Sequence, residues 1–273
     1  MKKNLFSLKG KTVLVTGGAG LLAQQHINAV LDNQGDLVLI DLNLQNLKKI
    51  KKDLINKYKN KIEIFRGDVT KLNDIKKIYK ILFKKKIKVD VLINNASINY
   101  QIDSKHKKLS NKILLENFDT KIWKKDLDVG LLGSLNCIKV FGKAMAKNKY
   151  GIILNIASDL SLIAPDNRIY NPINKISLVK PVSYSVVKHG ILGLTRYVAS
   201  YWAKYNVRCN AIAPGGIFNN QPKNFLKKIS KLIPMGRLAK KDEYESSILY
   251  LISDASSYMN GAVVSLDGGR TII

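Results

Sequence analysis

The chain has little of what marks secreted or metal-binding proteins. It has only two cysteines, Cys137 and Cys209, and both lie in apolar segments without the spacing of metal ligands. The three histidines, His26, His106 and His189, show no ligand spacing either. We therefore expect a cytoplasmic protein with reduced thiols and no metal site.

Long apolar runs are also missing. None approaches the roughly 18 residues that a membrane-spanning helix needs, and the lysine-containing first nine residues have no apolar stretch that would predict a signal peptide. No linker, repeat or low-complexity tract divides the 273 residues, of which 46% are hydrophobic. We expect a single domain over residues 1–273 with a substantial core.

Arginine is scarce, with six residues among the 46 basic ones, although the net charge is +26. Such a charge is typical of proteins that bind nucleic acids or anionic surfaces. Arginine, however, dominates the recognition of bases and phosphates, and the lysines are spread over several predicted helices. We therefore interpret the charge as lysine-rich composition, with no specific nucleic-acid or membrane partner. Attraction to a phosphorylated substrate remains open.

Apolar strands alternate with helical patterns along the whole chain. This alternation predicts a parallel, doubly wound sheet with helices on both faces, whose ligands bind beyond the carboxyl ends of the strands. The predicted strands are 11–15, 36–40, 62–65, 89–93, 151–156, 207–212 and 262–266. The predicted helices are 20–32, 44–58, a lysine-rich one between the third and fourth strands, 123–147 and 182–205.

A glycine-rich turn, Thr16–Ala23, follows the first strand. Gly17 would permit the tight turn, and Gly20 would open a helix whose N-terminus faces a pyrophosphate. The strand–turn–helix context favours a dinucleotide site over a plain βα turn.

Asp41 directly follows the second strand. A carboxylate there can accept hydrogen bonds from both ribose hydroxyls and would repel a 2′-phosphate, so NAD is favoured over NADP. Asp41 could equally cap the next helix, and the two roles are compatible. Asp68 and Val69 follow the third strand, where a side chain could meet the adenine. The segment Asn94–Ser97 follows the fourth, either as a buttress of the sheet or as a lining of the cofactor site.

Tyr184 and Lys188 lie four residues apart on a predicted helix and therefore share a face. A tyrosine has a pKa of about 10, and a nearby ammonium together with an oxidised nicotinamide would favour its phenolate. Ser158 ends the segment Asn155–Ser158 just past the fifth strand, where its hydroxyl could orient a substrate oxygen; Ser161 is the second candidate. We interpret these residues as the centre of a hydride-transfer enzyme.

Over essentially its whole length the chain resembles the short-chain dehydrogenases/reductases. The segments that carry the resemblance are Thr16–Gly20, Asp41, Asp68–Val69, Asn94–Ala96, Ser158, Tyr184 with Lys188, Asn210, Pro214–Ile217 and Leu266–Gly269. The resemblance implies a seven-stranded Rossmann fold, a homodimer or homotetramer, and a small alcohol or ketone substrate. It implies that Tyr184 is the general acid/base, Ser158 the substrate orienter and Lys188 a ligand of the nicotinamide ribose. The implied cofactor-binding residues are Gly17, Gly20, Leu21, Leu22, Asp41, Asp68, Val69, Asn94, Ala96, Tyr184, Lys188, Pro214, Gly215 and Ile217.

Three departures from the family pattern stand out. Leu21 and Ala23 occupy positions where the usual pattern has glycines, and Gly130 occupies the position of an asparagine that helps to hold a relay water. The third is a longer separation of Ser158 and Tyr184, which predicts a substrate-side insertion over about 160–181, ahead of a lid over about 217–240.

The insertion carries Arg168 and Tyr170, which could grip a polar or anionic group or lie on a loop without ligand contact. The insertion and Gly130 together resemble oxidoreductases of flagellin modification and surface-sugar synthesis. We therefore expect a sugar or sugar-phosphate substrate. The alternatives are a 3-oxoacyl or small-ketone reductase and a non-catalytic NAD sensor.

Overall fold

A seven-stranded sheet, parallel throughout, forms the centre of the molecule. The computed structural model describes residues 4–98, 111–170 and 179–273. The strands lie in the order β3-β2-β1-β4-β5-β6-β7. Their bounds are β1 Thr12–Thr16, β2 Asp36–Asp41, β3 Ile62–Arg66, β4 Val91–Asn94, β5 Gly151–Ile156, β6 Val207–Pro214 and β7 Val263–Leu266. The doubly wound fold predicted from the sequence is confirmed.

Helices cover both faces of this sheet. Those in the described part of the chain are α1 Ala23–Leu31, α2 Leu44–Lys57, α3 Leu72–Lys84, α4 Thr120–Lys147, α5 Val182–Trp202, α6 Lys223–Ile229 and α7 Glu245–Ile252. Alternate residues of β1 point to opposite layers, as the pleat requires. Val13 and Val15 join a core with α1, α2 and α7, whereas Leu14 joins a second core with α3, α4 and α5.

The chain reverses its winding direction at β1, which pairs with β2 on one side and with β4 on the other. Ligands of open α/β sheets bind at this switch point, beyond the carboxyl ends of the strands. Because the sheet is parallel, its carboxyl ends lie at one edge, and the five central strands β2, β1, β4, β5 and β6 surround the switch point there. Their last residues are Thr16, Asp41, Asn94, Ile156 and Pro214.

Helix α4 begins earlier than the predicted Trp123. The Asp119 side chain accepts a hydrogen bond from the Lys121 amide at 2.8 Å and so caps the helix one turn sooner. Two stretches within α4 have π-helical hydrogen bonding, which the sequence pattern does not predict; they are Asp128–Leu132 and Ile138–Gly142.

Helix α4 is also the only helix in the described ranges whose length and apolar composition would allow it to cross a membrane. Its apolar side chains, such as Phe141 and Met145, belong to the core between helix and sheet, and 56% of its most apolar stretch is buried. A core helix passes the same test of length and composition, and burial accounts for these apolar residues here.

The predicted insertion and lid pack against one another. The predicted lid follows β6 and contains α6. A parallel bridge between Ile217 and Ala239 joins its two ends. The ring of Tyr170, from the insertion, lies 5.7 Å from that of Phe225 on α6. Around this contact lies a small separate core of Ile169, Ile229, Ile233 and Leu238. Residues 171–178 of the predicted insertion, with Asn171, and also His106, lie outside the described residues.

Candidate active site

The structure brings together the three predicted catalytic residues. Ser158 immediately follows β5, and its hydroxyl acts on the Tyr184 phenol of α5, whose pKa it lowers. Lys188, one turn further along α5, donates a hydrogen bond from Nζ to the Ile156 carbonyl at 2.8 Å. Because Ile156 ends β5, this bond fixes the lysine to the strand that also positions Ser158. The second candidate, Ser161, donates its hydroxyl to the Ser158 carbonyl instead.

Burial controls the ionisation of these groups. It raises the pKa of Tyr184 to about 12; the Ser158 hydroxyl opposes this rise, and the charge of Asp159 adds to it. Burial also lowers the pKa of Lys188 to about 8, with a further contribution from the charge of Lys180. The phenol therefore needs strong positive charge nearby before it can act as a base near neutral pH.

A buried ion pair that sequence reasoning missed supports Ser158. The Ser158 hydroxyl donates to Asp159 Oδ1 at 2.8 Å, and Arg270 Nη1 lies 2.6 Å from Asp159 Oδ2. The two charged side chains are only 5% and 8% exposed. The sequence signal was weak: a carboxylate next to Ser158, and one of six arginines just after Gly268-Gly269.

Lys180 is a second residue that sequence reasoning missed. It immediately precedes Pro181, and its Nζ lies 3.8 Å from the centroid of the Tyr184 ring. Lys188 Nζ is 5.7 Å from the same centroid. Burial lowers the pKa of Lys180 to about 8, with Asp159 opposing this fall and Arg270 adding to it.

The glycine-rich turn leaves no room for side chains. Gly17 has φ +65°, and a Cβ there would lie 3.0 Å from Ala96 Cα. A Cβ on Gly18 would lie 2.9 Å from Leu39 Cβ. Helix α1 begins directly after the turn, and Leu22 at its N-cap provides no side-chain cap. A ligand can approach the backbone closely at these glycines, and the N-terminal amides of α1 have no side-chain cap. Both features fit the binding of a dinucleotide pyrophosphate.

A side-chain network ties this turn to the end of β4. Asn95 Nδ2 donates to the carbonyls of Thr16 and Gly17 at 3.0 and 3.1 Å, and His26 Nε2 lies 3.1 Å from Asn95 Oδ1. Burial lowers the pKa of His26 to about 4, so it is neutral at pH 7. Sequence reasoning selected Asn94 in this segment, whose buried side chain instead donates to Asn155 Oδ1 at 2.8 Å across the sheet.

Asp41 lies beside the glycine turn. Its Oδ2 accepts from the Ala19 amide at 3.0 Å and its Oδ1 from the Asn43 amide at 2.8 Å. The side chain that caps α2 belongs to Asn43, which accepts from Asn46. The carboxylate is therefore held at the carboxyl end of β2, next to the turn that would hold the pyrophosphate.

The other predicted cofactor residues lie at or just beyond strand ends. Asp68 Oδ1 accepts from the Thr70 amide and hydroxyl, and Val69 is 8% exposed. Leu21 is 52% exposed and Leu22 half-buried. Pro214 ends β6, and a Cβ on Gly215 would lie 2.9 Å from Asp267 Cα. Ile217 lies at the start of the predicted lid and is bridged to Ala239.

Gly130 lies in the first π-helical stretch of α4, facing α5. A Cβ on Gly130 would lie only 2.3 Å from Val187 Cγ1, so this position has no space for an asparagine. Its carbonyl accepts a hydrogen bond from Ser134 Oγ at 2.8 Å. The glycine therefore permits the close approach of α4 to the helix that carries Tyr184 and Lys188.

The two insertion residues differ in environment. The Arg168 side chain is 88% exposed and forms two bonds of 2.9 and 2.7 Å with the Asp166 carboxylate. Tyr170 packs against the lid, and burial raises its pKa to about 12, with Arg270 opposing and Tyr184 adding to the rise. The charge of Tyr184 therefore acts on Tyr170, whereas Arg168 is already paired with Asp166. Among residues 4–98, 111–170 and 179–273, no group of three His, Cys, Asp or Glu side chains is placed to hold a metal ion.

Comparisons with known proteins identify the family of the chain. Residues 22–271 match a family model described as enoyl-(acyl carrier protein) reductase. The chain is 32% identical to 2-dehydro-3-deoxy-D-gluconate 5-dehydrogenase of Bacillus subtilis, covering 97% of this chain and 96% of that protein. It is 27% identical to post-translational flagellin modification protein A of Campylobacter coli, covering 96% and 98%.

Solved structures show the same fold. A gluconate 5-dehydrogenase of Burkholderia cenocepacia, in complex with NADP and tartrate, superposes with a TM-score of 0.85 at 22% identity, over 99% of this chain and 98% of that one. A short-chain dehydrogenase of Leptospira borgpetersenii with bound NAD+ superposes with a TM-score of 0.79 at 26% identity, over 99% and 96%. The chain belongs to the short-chain dehydrogenase/reductase family and is an NAD(P)-dependent oxidoreductase of alcohol or ketone substrates.

Proposed function

We propose that the protein is an NAD-preferring dehydrogenase/reductase. Its substrate would be a sugar or sugar derivative whose alcohol or ketone group reacts at Tyr184. The observation that carries the proposal is the convergence of Ser158, Tyr184 and Lys188 at the end of β5. The sugar-acid dehydrogenase at 32% identity and the flagellin modification protein at 27% support a carbohydrate substrate. A role in surface-glycan synthesis, with a sugar phosphate as substrate, is the more specific form of this proposal.

The nicotinamide dinucleotide supplies hydride chemistry when it is bound. The backbone of Gly17, Gly20, Leu21 and Leu22 would hold the pyrophosphate of this cofactor, because the turn and the start of α1 present amides there. The remaining contacts would come from Asp41 at the ribose, Asp68 and Val69 at the adenine, and Asn94, Ala96, Pro214, Gly215 and Ile217 towards the nicotinamide.

The chain's own residues handle the substrate oxygen and its proton. The Ser158 hydroxyl acts on the phenol of Tyr184, whose pKa it lowers, and would hold the substrate oxygen that exchanges its proton with that phenol. Tyr184 would take the hydroxyl proton during oxidation and return it during reduction. Lys188, fixed by its bond to Ile156, would stabilise the phenolate and bind the nicotinamide ribose.

Asp41 supports the preference for NAD. Its carboxylate lies beside the turn and would repel a 2′-phosphate. We expect Asp41→Ala to weaken NAD binding much more than NADP binding, measured by titration of nucleotide binding to the purified protein. Equal loss for both nucleotides would show that Asp41 does not read the ribose.

The activity test follows nicotinamide absorbance with NAD or NADP. The substrate panel contains sugars, sugar acids, sugar phosphates, nucleotide sugars, simple ketols and a 3-oxoacyl thioester. We expect turnover with NAD and a carbohydrate, and a loss of at least about 100-fold in Tyr184→Phe, the scale of general acid–base catalysis. Turnover of the thioester with NADPH alone would favour the acyl reductase, which the similarity to a 3-oxoacyl-[acyl-carrier-protein] reductase of Thermotoga maritima supports, at 28% identity over 97% of this chain and 99% of that protein. Tight NAD binding with turnover unchanged by Tyr184→Phe would contradict the proposed mechanism.

A further inference from the structure

The Lys180 ammonium is held against the ring of the reactive tyrosine. Its Nζ lies 3.8 Å from the ring centroid of Tyr184, a shorter separation than the 5.7 Å of Lys188. The backbone on both sides of this lysine is fixed. Its amide donates to Asn167 Oδ1 at 3.0 Å, and Pro181, the N-cap of α5, follows directly.

This position is electrostatically costly for a lysine. Burial lowers the pKa of Lys180 to about 8, and the charges of Lys180 and Lys188 disfavour one another. A lysine has a long, flexible side chain that normally keeps its ammonium in water. The contact with the Tyr184 ring places this ammonium where it would act on a phenolate.

The charged groups around the tyrosine leave positive charge in excess. Lys180, Lys188 and Arg270 are the cations near Tyr184. The carboxylate whose charge affects the pKa of Lys180 and Tyr184 is Asp159. Asp159 is already bound by Arg270 at 2.6 Å and by the Ser158 hydroxyl at 2.8 Å. The remaining titratable neighbour, Tyr170, is a neutral phenol at pH 7 because burial raises its pKa to about 12. Burial raises the pKa of Tyr184 to about 12, so a phenolate there depends on the positive charge of the nearby Lys180 and Lys188 ammonium groups.

We propose that Lys180 is a second cation, besides Lys188, that stabilises the phenolate of Tyr184. The face of a neutral aromatic ring attracts a cation weakly, and a phenolate, which bears a full negative charge, attracts it more strongly. Lys180 consequently lowers the free energy of the ionised form more than that of the phenol. The inference rests on the proposed role of Tyr184 as general base, and Lys180 acts as a positioning residue through that tyrosine.

The test measures the ionisation of Tyr184 without any substrate. Ultraviolet difference titration of the NAD-bound protein, with the Tyr184→Phe titration subtracted, isolates the absorbance of this phenolate. We expect Lys180→Met to raise the titration midpoint of Tyr184 by about one to two pH units, the size of a single charge at this range in a partly hydrated pocket. Lys180→Arg, which keeps the charge, should restore the midpoint to within a few tenths of a unit.

Two controls keep the result interpretable. Lys227→Met removes an exposed lysine of α6, lowers the net charge equally and should leave the Tyr184 midpoint unchanged. Lys180→Gln provides a second neutral variant if Lys180→Met does not fold. Because the titration needs no turnover, a shifted midpoint supports the inference even if no panel substrate reacts.

An unchanged midpoint in both neutral Lys180 variants would overturn the inference. If those variants also raise the KM for anionic substrates and leave the KM for neutral ones unaltered, Lys180 binds the anionic group of the substrate instead. Where a substrate is found, the acidic limb of the kcat pH profile should move upward by the same amount as the midpoint.

Discussion

Arg270 and Asp159 form the least exposed ion pair among the described residues. A buried pair gains little net stability over an apolar replacement, but removing one partner leaves an uncompensated buried charge. Here the carboxylate also accepts the Ser158 hydroxyl. The pair therefore joins the C-terminal segment to the residue that would orient the substrate.

We expect Arg270→Met to lower the free energy of unfolding by about 3–5 kcal/mol, because Asp159 loses its cationic partner in a site with little water. Urea denaturation followed by circular dichroism measures the change. The matched control is Arg237→Met. Arg237 pairs with Glu243 through two bonds of 2.7 Å, but the two side chains are 42% and 36% exposed. Its loss should cost far less stability, because solvent screens an exposed pair; equal losses in the two variants would contradict the role of burial.

At this scale the sequence predicts residues related by local spacing. Tyr184 and Lys188 share one helix face, and Ser158 ends a strand, so their positions follow from one element each. Asp159 and Arg270 are 111 residues apart and meet only through the tertiary fold. Lys180 could not be identified either, since one lysine in a lysine-rich chain carries no signal of its own.

At the scale of elements, the contact between α4 and α5 depends on Gly130. A methyl group there would overlap Val187 Cγ1, the side chain next to Lys188. The loss of the asparagine found in the usual family pattern is thus matched by a valine that occupies its space. The two helices can approach this closely because residue 130 has no side chain.

We expect Gly130→Ala to destabilise the protein by about 1–3 kcal/mol through overpacking, measured by urea denaturation. Combining it with Val187→Ala should recover part of that loss, because the clash is removed. The matched control is Gly193→Ala on α5, where no atom lies within 4 Å of the added Cβ. That change should stabilise the helix by about 0.5–1 kcal/mol. Destabilisation by both alanines alike would indicate that Val187 is not the cause.

Strands were easier to predict than helix ends. β5 has the predicted bounds, Gly151–Ile156, because a continuous apolar run defines a buried parallel strand. Helix ends depend on single side chains, such as the Asp119 cap that starts α4 before Trp123. The π-helical stretches have no local sequence signal, since they arise where α4 packs against its neighbours.

For the whole molecule, the family resemblance predicts a homodimer or homotetramer, and this remains a prediction. Helix α5 exposes two aromatic side chains, Tyr197 and Tyr201, which are 66% and 60% exposed and stack 5.8 Å apart. Amphipathic aromatic residues are enriched at protein interfaces. They support an interface that includes α5.

The net charge of +26 is the property that most clearly belongs to the whole chain. Like charges repel within a compact state and destabilise it, and salt screens this repulsion. The Debye length falls from about 30 Å at 0.01 M to about 10 Å at 0.1 M ionic strength. We expect the Tm to rise by a few degrees over this range in sodium chloride, corresponding to about 1 kcal/mol. Sodium sulfate at equal ionic strength should give the same rise unless a specific anion site contributes.

A charge reversal on α2 tests the same explanation. Lys48 and Lys52 are both exposed and lie four residues apart, so their ammonium groups repel one another. We expect Lys48→Glu to stabilise the protein by about 0.2–0.5 kcal/mol at low salt, because it creates the favourable glutamate-to-lysine order on the helix. The gain should shrink as sodium chloride screens it, measured by thermal unfolding. A gain of equal size at high salt would show that helix propensity, not charge, is responsible.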